Sequence, residues 1–276
     1  MTLWVNGRLV ADDEPVLPAN DHGLVVGDGV FETLKVVDGQ PFALSRHLQR
    51  MHTSAAGLGL HFDTEAVRGA VKEALAAETR PGLLRLRITL TGGPGPYASD
   101  RGDAGATLIV AISDQKPPPA SSAVVTVPWS RNERSAVAGL KTISYAENVV
   151  ALDHAHRQGA TEAIFANTRG ELCEGTGSNV FLGIDGQLVT PPLSSGCLAG
   201  ITRSLLLEWR DDIGGIDERS LSIDALRTAD EAFLASSIRD VHPIHAIDLR
   251  ELPAPGPLTE RAMAVFARHV AETLDP

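Results

Sequence analysis

A chain of 276 residues, 43% hydrophobic and 21% charged, has the length for one large domain or two smaller ones and the composition of an ordinary globular protein. Its formal net charge of -11 argues against nucleic acid or an anionic membrane surface as a partner, so any anionic ligand must be held by local donors. The start Met1-Thr2-Leu3-Trp4 carries no basic region followed by an apolar one, and no run of about 18 apolar residues occurs, so a cytoplasmic location without a membrane span is expected.

The chain opens with short strands, Leu3 to Val5 and Arg8 to Val10, joined by Asn6-Gly7, a strong hairpin signal. Gly29 to Val37 alternates as a strand, turns at Asp38-Gly39 and returns through Pro41-Phe42. Ser45 is placed to cap a helix with Leu44, Leu48, Met51 and Ala55 on one face, ending near Gly57. A second helix is expected from Thr64, with Val67, Val71 and Leu75 at helical spacing. Leu83 to Thr91 and Thr107 to Ser113 have the character of buried strands.

Residues 116–122, Lys-Pro-Pro-Pro-Ala-Ser-Ser, form the best linker, stiff from its prolines. It divides a small N-terminal domain at 1–115 from a larger one at 123–276. In the second part a strand (Ala123 to Val127) precedes Lys141. A helix (about Ala146 to Gln158), a strand (Glu162 to Ala166) and a hairpin (Val180 to Ile184, Gln187 to Val189) follow. A helix opening at Gly200, a strand from Glu231 to Ala235 and a helix from about Thr259 complete the chain. The fold class is therefore α/β (α+β) in two domains, and a domain junction is a usual place for a ligand. Cys173 and Cys197 fit neither a metal spacing nor a disulfide framework and are expected as buried free thiols; no metal site is expected.

The lysines carry the first chemical signal. There are only four, Lys35, Lys72, Lys116 and Lys141, against 20 arginines, so lysine is not the default surface cation. Lys141 sits among Gly139, Leu140 and Ile143, where burial would favour the neutral amine, a nucleophile able to form a Schiff base. Glu174, entering the turn Gly175-Thr176-Gly177-Ser178, is poorly placed for solvent and needs a cationic or N–H partner. Gly200-Ile201-Thr202-Arg203 offers amides and a hydroxyl at a helix N-terminus, an anion site by geometry and dipole.

Taken in order, Gly27-Asp28-Gly29-Val30-Phe31-Glu32, His47 to Arg50, Lys141, Glu174 to Phe181, Leu198 to Arg203 and Ser236 to Pro243 resemble the motifs of class IV aminotransferases. These are fold type IV pyridoxal-phosphate enzymes, a group holding D-amino-acid and branched-chain aminotransferases and aminodeoxychorismate lyase. The resemblance runs nearly end to end and implies a larger C-terminal domain with a barrel-like sheet. It implies that Lys141 holds pyridoxal 5'-phosphate as a Schiff base and then shuttles a proton, and that Glu174 pairs with the pyridine nitrogen. Arg50, Ile201, Thr202 and Ser237 would cup the phosphate. It also implies a homodimer with the site at the subunit interface.

At the substrate end the chain departs from its relatives. The Arg-x-His pair that traps the substrate carboxylate in well-known D-amino-acid enzymes is replaced by Gly92-Gly93-Pro94-Gly95-Pro96. Arg239, with Arg131 and Arg134 as alternatives, is the substitute expected here, alongside Phe31, Thr33 and Tyr145 as substrate-side residues. The resulting expectation is a ping-pong aminotransferase moving the amino group of D-amino acids to a 2-oxo acid. A lyase making 4-aminobenzoate and pyruvate is the alternative, suggested by the Phe31-x-Thr33 pattern, and a branched-chain aminotransferase ranks third.

Overall fold

The computed structural model describes residues 1–276, which group into two compact units: 1–117 with 140–145 and Asp275, and 118–139 with 146–274 and Pro276.

The first unit is built on β1 (Thr2–Val5), β2 (Arg8–Val10), a one-turn helix α1 (His22–Val25), β3 (Gly29–Val37), β4 (Gln40–Pro41), α2 (Leu44–Gly57), α3 (Thr64–Ala76), β5 (Leu84–Thr91) and β6 (Thr107–Asp114). Its sheet runs β2-β1-β6-β5-β3-β4, all antiparallel. Asn6 and Gly7 both take positive φ, 43° and 99°, as do Asp38 and Gly39 at 50° and 77°, the backbone that a two-residue hairpin turn demands. Alternation then sorts the two faces. Val30, Leu34 and Val36 of β3, Leu84, Leu86, Ile88 and Leu90 of β5, and Val110 and Ile112 of β6 bury against Leu48, Met51 and Ala55 of α2 and Val67, Ala70, Val71 and Ala74 of α3. Each fully buried aliphatic side chain there contributes roughly 1.5–3 kcal/mol. The opposite face carries Phe31, Thr33, Arg87 and Thr89, three of them only half-buried.

Ser45 does not cap α2. The helix enters from Ala43 in the left-handed region (φ 54°), and the Ser45 N–H and hydroxyl instead donate to the Asp275 carboxylate at 3.0 and 2.6 Å. The hairpin continues to Phe42, whose N–H donates to Lys35 O, leaving no extended residue ahead of the helix to serve as a polar cap. α3 has the expected kind of start, Asp63 accepting from Glu65 N–H.

Residues 140–145 belong to the first unit through backbone bonds: Phe31 N–H donates to Lys141 O, and Ile143 N–H to Gly29 O. Lys141 thus rides on the start of β3.

The second unit holds β7 (Ser122–Arg131), α4 (Ala146–Arg157), β8 (Glu162–Asn167), β9 (Leu172–Gly175), β10 (Asn179–Ile184), β11 (Gln187–Thr190), α5 (Ile201–Glu208), α6 (Arg210–Ile213), β12 (Ile216–Glu218), β13 (Glu231–Ser236), β14 (Asp240–Ile247), β15 (Arg250–Glu251) and α7 (Pro257–Glu272). The sheet order is β12-β11-β10-β13-β14-β7-β8-β9, with β15 on β14. β9 lies at one edge, yet only Thr176, Gly177 and Ser178 separate it from β10, so those strand ends lie within about 14 Å of each other. The sheet must curl to meet that restraint, giving a half-barrel of the kind the resemblance implied. Its inner core includes Val124, Ile164, Leu172, Val180, Leu182 and Leu234, and Phe181 and Phe233 stack across neighbouring strands at 4.7 Å. Cys173 and Cys197 are buried free thiols, as composition suggested. No helix is long and apolar enough to cross a membrane.

Candidate active site

In the first unit the lysine is fixed by its backbone and walled by aromatic rings. Lys141 N–H donates to Ser54 Oγ of α2 at 3.1 Å, and its Nζ lies 4.3 Å from the Phe31 ring centroid and 5.9 Å from that of Tyr145. Those rings meet edge to face, 5.1 Å apart. Phe31 of β3 and Tyr145 supply the rings of that wall. Ring faces attract a cation and keep water from it.

Behind Phe31, on the helix-covered face, Glu32 is fully buried. Its carboxylate accepts from Arg50 Nε at 2.9 Å, Arg50 Nη2 at 2.6 Å and His47 Nδ1 at 2.6 Å. Burial alone would push the carboxyl up, but the charges of Arg50 and His47 and their hydrogen bonds outweigh it and hold the group at about 2. Burial pushes His47 down; Glu32 opposes this, while Arg50 and Lys141 add to it. The outcome is an Arg50 side chain locked by a bidentate carboxylate along its Nε–Nη2 edge. Glu32 was missed by sequence reasoning, although a carboxylate alternating with Val30 and Leu34 on a buried face signals a cationic partner.

In the second unit Glu174 is the penultimate residue of β9. Its Oε2 accepts from Leu198 N–H at 2.9 Å, and Oε1 lies 3.4 Å from Arg131 Nε, within ion-pair range but outside hydrogen-bond geometry. Arg131 is itself held by Glu147 and Asn148 and lies 4.3 Å over the Phe165 ring. The backbone of Leu198 connects this carboxylate to α5: its carbonyl accepts from Asn179 Nδ2 and from Gly200 N–H, both at 2.8 Å. Gly200 caps α5 without a side-chain bond, and a Cβ there would stand 1.9 Å from Asn179 Oδ1, so any larger residue would have to displace the Asn179 side chain. Ile201 and Thr202 form the first turn, and Thr202 Oγ1 is buried without a partner. A buried orphan hydroxyl beside the amides of an eight-residue helix start is a donor set that suits a phosphate. Ser237 lies in the turn between β13 and β14.

Arg239, expected on the substrate side, is committed elsewhere. Its guanidinium bonds the buried Glu162 carboxylate, which also accepts from Thr176 N–H and Oγ1 and from Ser178 Oγ at 3.1 Å. Asn148 Nδ2 donates to Thr176 O. This cluster pins the turn that presents Glu174. Arg134 points to solvent, 83% exposed, with its nearest carboxylate, Glu133, at 3.9 Å.

Comparison with known proteins agrees with this arrangement. Residues 29–247 match the family model described as amino-transferase class IV. The chain is 32% identical over 276 residues to a bifunctional aminodeoxychorismate lyase / D-amino acid transaminase of Mycobacterium tuberculosis, covering 92% of this chain and 93% of the relative. The branched-chain aminotransferase of Thermoproteus uzoniensis superposes with a TM-score of 0.92 at 29% identity over 99% of this chain and 95% of that one. A hypothetical aminotransferase of Mycobacterium tuberculosis in its PLP-bound form does so with 0.84 at 31% identity, over 98% and 100%. The chain belongs to the class IV aminotransferases, pyridoxal-phosphate enzymes that exchange an amino group between an amino donor and a 2-oxo acid.

Proposed function

We propose that this enzyme is a D-amino-acid aminotransferase in which Lys141 and Glu174 are catalytic and Arg50, Ile201, Thr202 and Ser237 hold the cofactor phosphate. The observation that carries it is the Lys141 amine, 4.3 Å from the Phe31 ring and backbone-fixed through Ser54 and Phe31, so that a single protonatable group is held at one place. The D-hand rests on the name of the bifunctional Mycobacterium tuberculosis relative.

When bound, pyridoxal phosphate supplies the carbonyl that takes the amino group and the ring that draws electrons from the amino-bearing carbon. Lys141 would hold it through Nζ, and the same nitrogen is the group placed to take a proton and return it. Glu174 offers its carboxylate to the ring nitrogen and keeps a proton there; the Leu198 N–H fixes the direction of the carboxylate. Thr202 Oγ1 and the amides of Ile201 and Thr202 supply donors for the phosphate, and Arg50 presents a guanidinium already oriented by Glu32. Phe31 and Tyr145 exclude water from Nζ. We further propose a homodimer in the cytoplasm; Trp129, Val149 and Val150, exposed by 40%, 64% and 52%, support an apolar contact on the second unit.

A second reading, an aminodeoxychorismate lyase, is favoured by Thr33 beside Phe31 and by the other half of the same relative's name. One experiment separates the two. Holoenzyme is mixed, without acceptor, with D-alanine, L-leucine or aminodeoxychorismate. Under the proposal D-alanine discharges the yellow colour, a 2-oxo acid restores it, and borohydride reduction of the untreated enzyme tags Lys141. Colour unchanged by either amino acid while aminodeoxychorismate yields pyruvate would establish the lyase.

A further inference from the structure

Resting on the aminotransferase reading, we infer that Arg87 receives the carboxylate of the amino and 2-oxo acids. Both substrates carry a carboxylate and the protein's net charge is -11, so a local cation must hold that group. Arg239 is bonded to Glu162, Arg131 to Glu147, Arg50 to Glu32 and Arg101 to Asp28. Arg134 stands in solvent.

Arg87 is different. It projects from β5 on the face that no helix covers, directly opposite Thr33 of β3 and two residues from Thr89. It is half-buried and pairs with no carboxylate; its one hydrogen bond is from Nε to Thr89 Oγ1 at 3.2 Å. Its Cζ stacks 3.8 Å over the Phe31 ring, the ring that also lies 4.3 Å from Lys141 Nζ. Those two distances set end to end bound the separation of the cations at about 8 Å. An α-amino acid whose nitrogen takes the place of Nζ has its carboxylate oxygens about 3 Å away, and a charge-assisted bond to a guanidinium adds about 2.8 Å, so the geometry accommodates it. Burial also works against the charged form of Arg87, with Tyr145 partly restoring it and Arg85 opposing, as expected of a guanidinium whose counter-ion is to be supplied by a ligand. Phe31 thereby does two things: one ring orients the amine and the guanidinium on which donor and acceptor must both register.

The test compares wild-type holoenzyme with Arg87→Met, which keeps an apolar stem against Phe31, and Arg87→Lys, which keeps the charge without the fork. Propionate and glutarate are titrated against the cofactor absorption, and colour loss is followed with alanine of the active hand, glutamate of the same hand, and 1-phenylethylamine, which has no carboxylate. Arg87→Met should weaken propionate and alanine about tenfold to a hundredfold and leave the amine within about twofold, with Arg87→Lys in between. Weakening confined to glutarate and glutamate would assign Arg87 to the distal carboxylate, which supports the inference in that form. Unchanged carboxylate binding in both variants, or an equal fall for amine and amino acid, overturns it. The propionate titration needs no turnover, so a wild type discoloured by no donor would refute the aminotransferase reading while the role of Arg87 is still decided.

Discussion

Replacing Glu32 by glutamine removes a charge from a fully buried site and should cost stability in a pH-dependent way. The carboxyl accepts three hydrogen bonds, two from Arg50 and one from His47, and falls from an ordinary 4.5 to about 2. That difference corresponds to about 3 kcal/mol of stabilisation. Because the folded value lies below the unfolded one, the stabilisation is complete above 4.5 and is lost as pH falls through about 2. Glutamine keeps one acceptor oxygen but turns an NH₂ toward donors on Arg50 or His47, and leaves Arg50 without its counter-ion. At pH 7 the melting temperature of Glu32→Gln should therefore fall by about 6–12 °C. Thermal melts of both proteins at pH 7, 5 and 3 check the rest: the gap should be full at pH 7, nearly full at 5 and shrinking at 3. Glu78, also held at about 2, titrates in both proteins and cancels in the difference. A gap below about 1 kcal/mol at pH 7, or one that stays constant under acid, would refute the reasoning.

Glu174→Gln keeps the acceptor for Leu198 N–H, so cofactor should remain bound while turnover falls by about a hundredfold or more; undiminished turnover would remove Glu174 from the chemistry. Arg239→Ala leaves Glu162 with its Thr176 and Ser178 donors but no cation, so about 2 kcal/mol of stability should be lost, with amino acids and amines slowed alike. A selective loss for amino acids would instead return Arg239 to the substrate side.

What was legible in the sequence were features that local chemistry decides alone. Asn6-Gly7 and Asp38-Gly39 specified hairpins, the spacing of Val67, Val71 and Leu75 specified α3, and Gly200-Ile201-Thr202 marked a helix start able to take an anion. Pairings between distant residues were not legible. Nothing local joins Glu32 to Arg50, or Glu162 to Arg239, 77 positions away, and so an arginine that fastens a turn was expected to face substrate. The apolar setting of Lys141 was anticipated for an incomplete reason, since Phe31 supplies it from 110 positions earlier in the chain. β14 was hidden because Pro243 and two histidines interrupt its pattern. Yet His242 is a core residue, bonded to Ser122 Oγ and pushed by burial to about 4, so it stays neutral through the physiological range.

The attachment of residues 140–145 to β3 also orders events during synthesis. Sheet and helices of the first unit are complete in sequence by Asp114, but Gly29 O and Phe31 N–H wait for Ile143 and Lys141. A nascent chain therefore assembles the scaffold before the nucleophile reaches it, and closing so long a loop is slow. A fragment ending at Pro117 would carry Phe31, Arg50 and Arg87 without the Lys141 amine, and the start of its β3 would keep an unpaired edge where residues 141–143 belong. Supplying a peptide that spans 139–146 to such a fragment would show whether the lysine segment docks by its backbone alone.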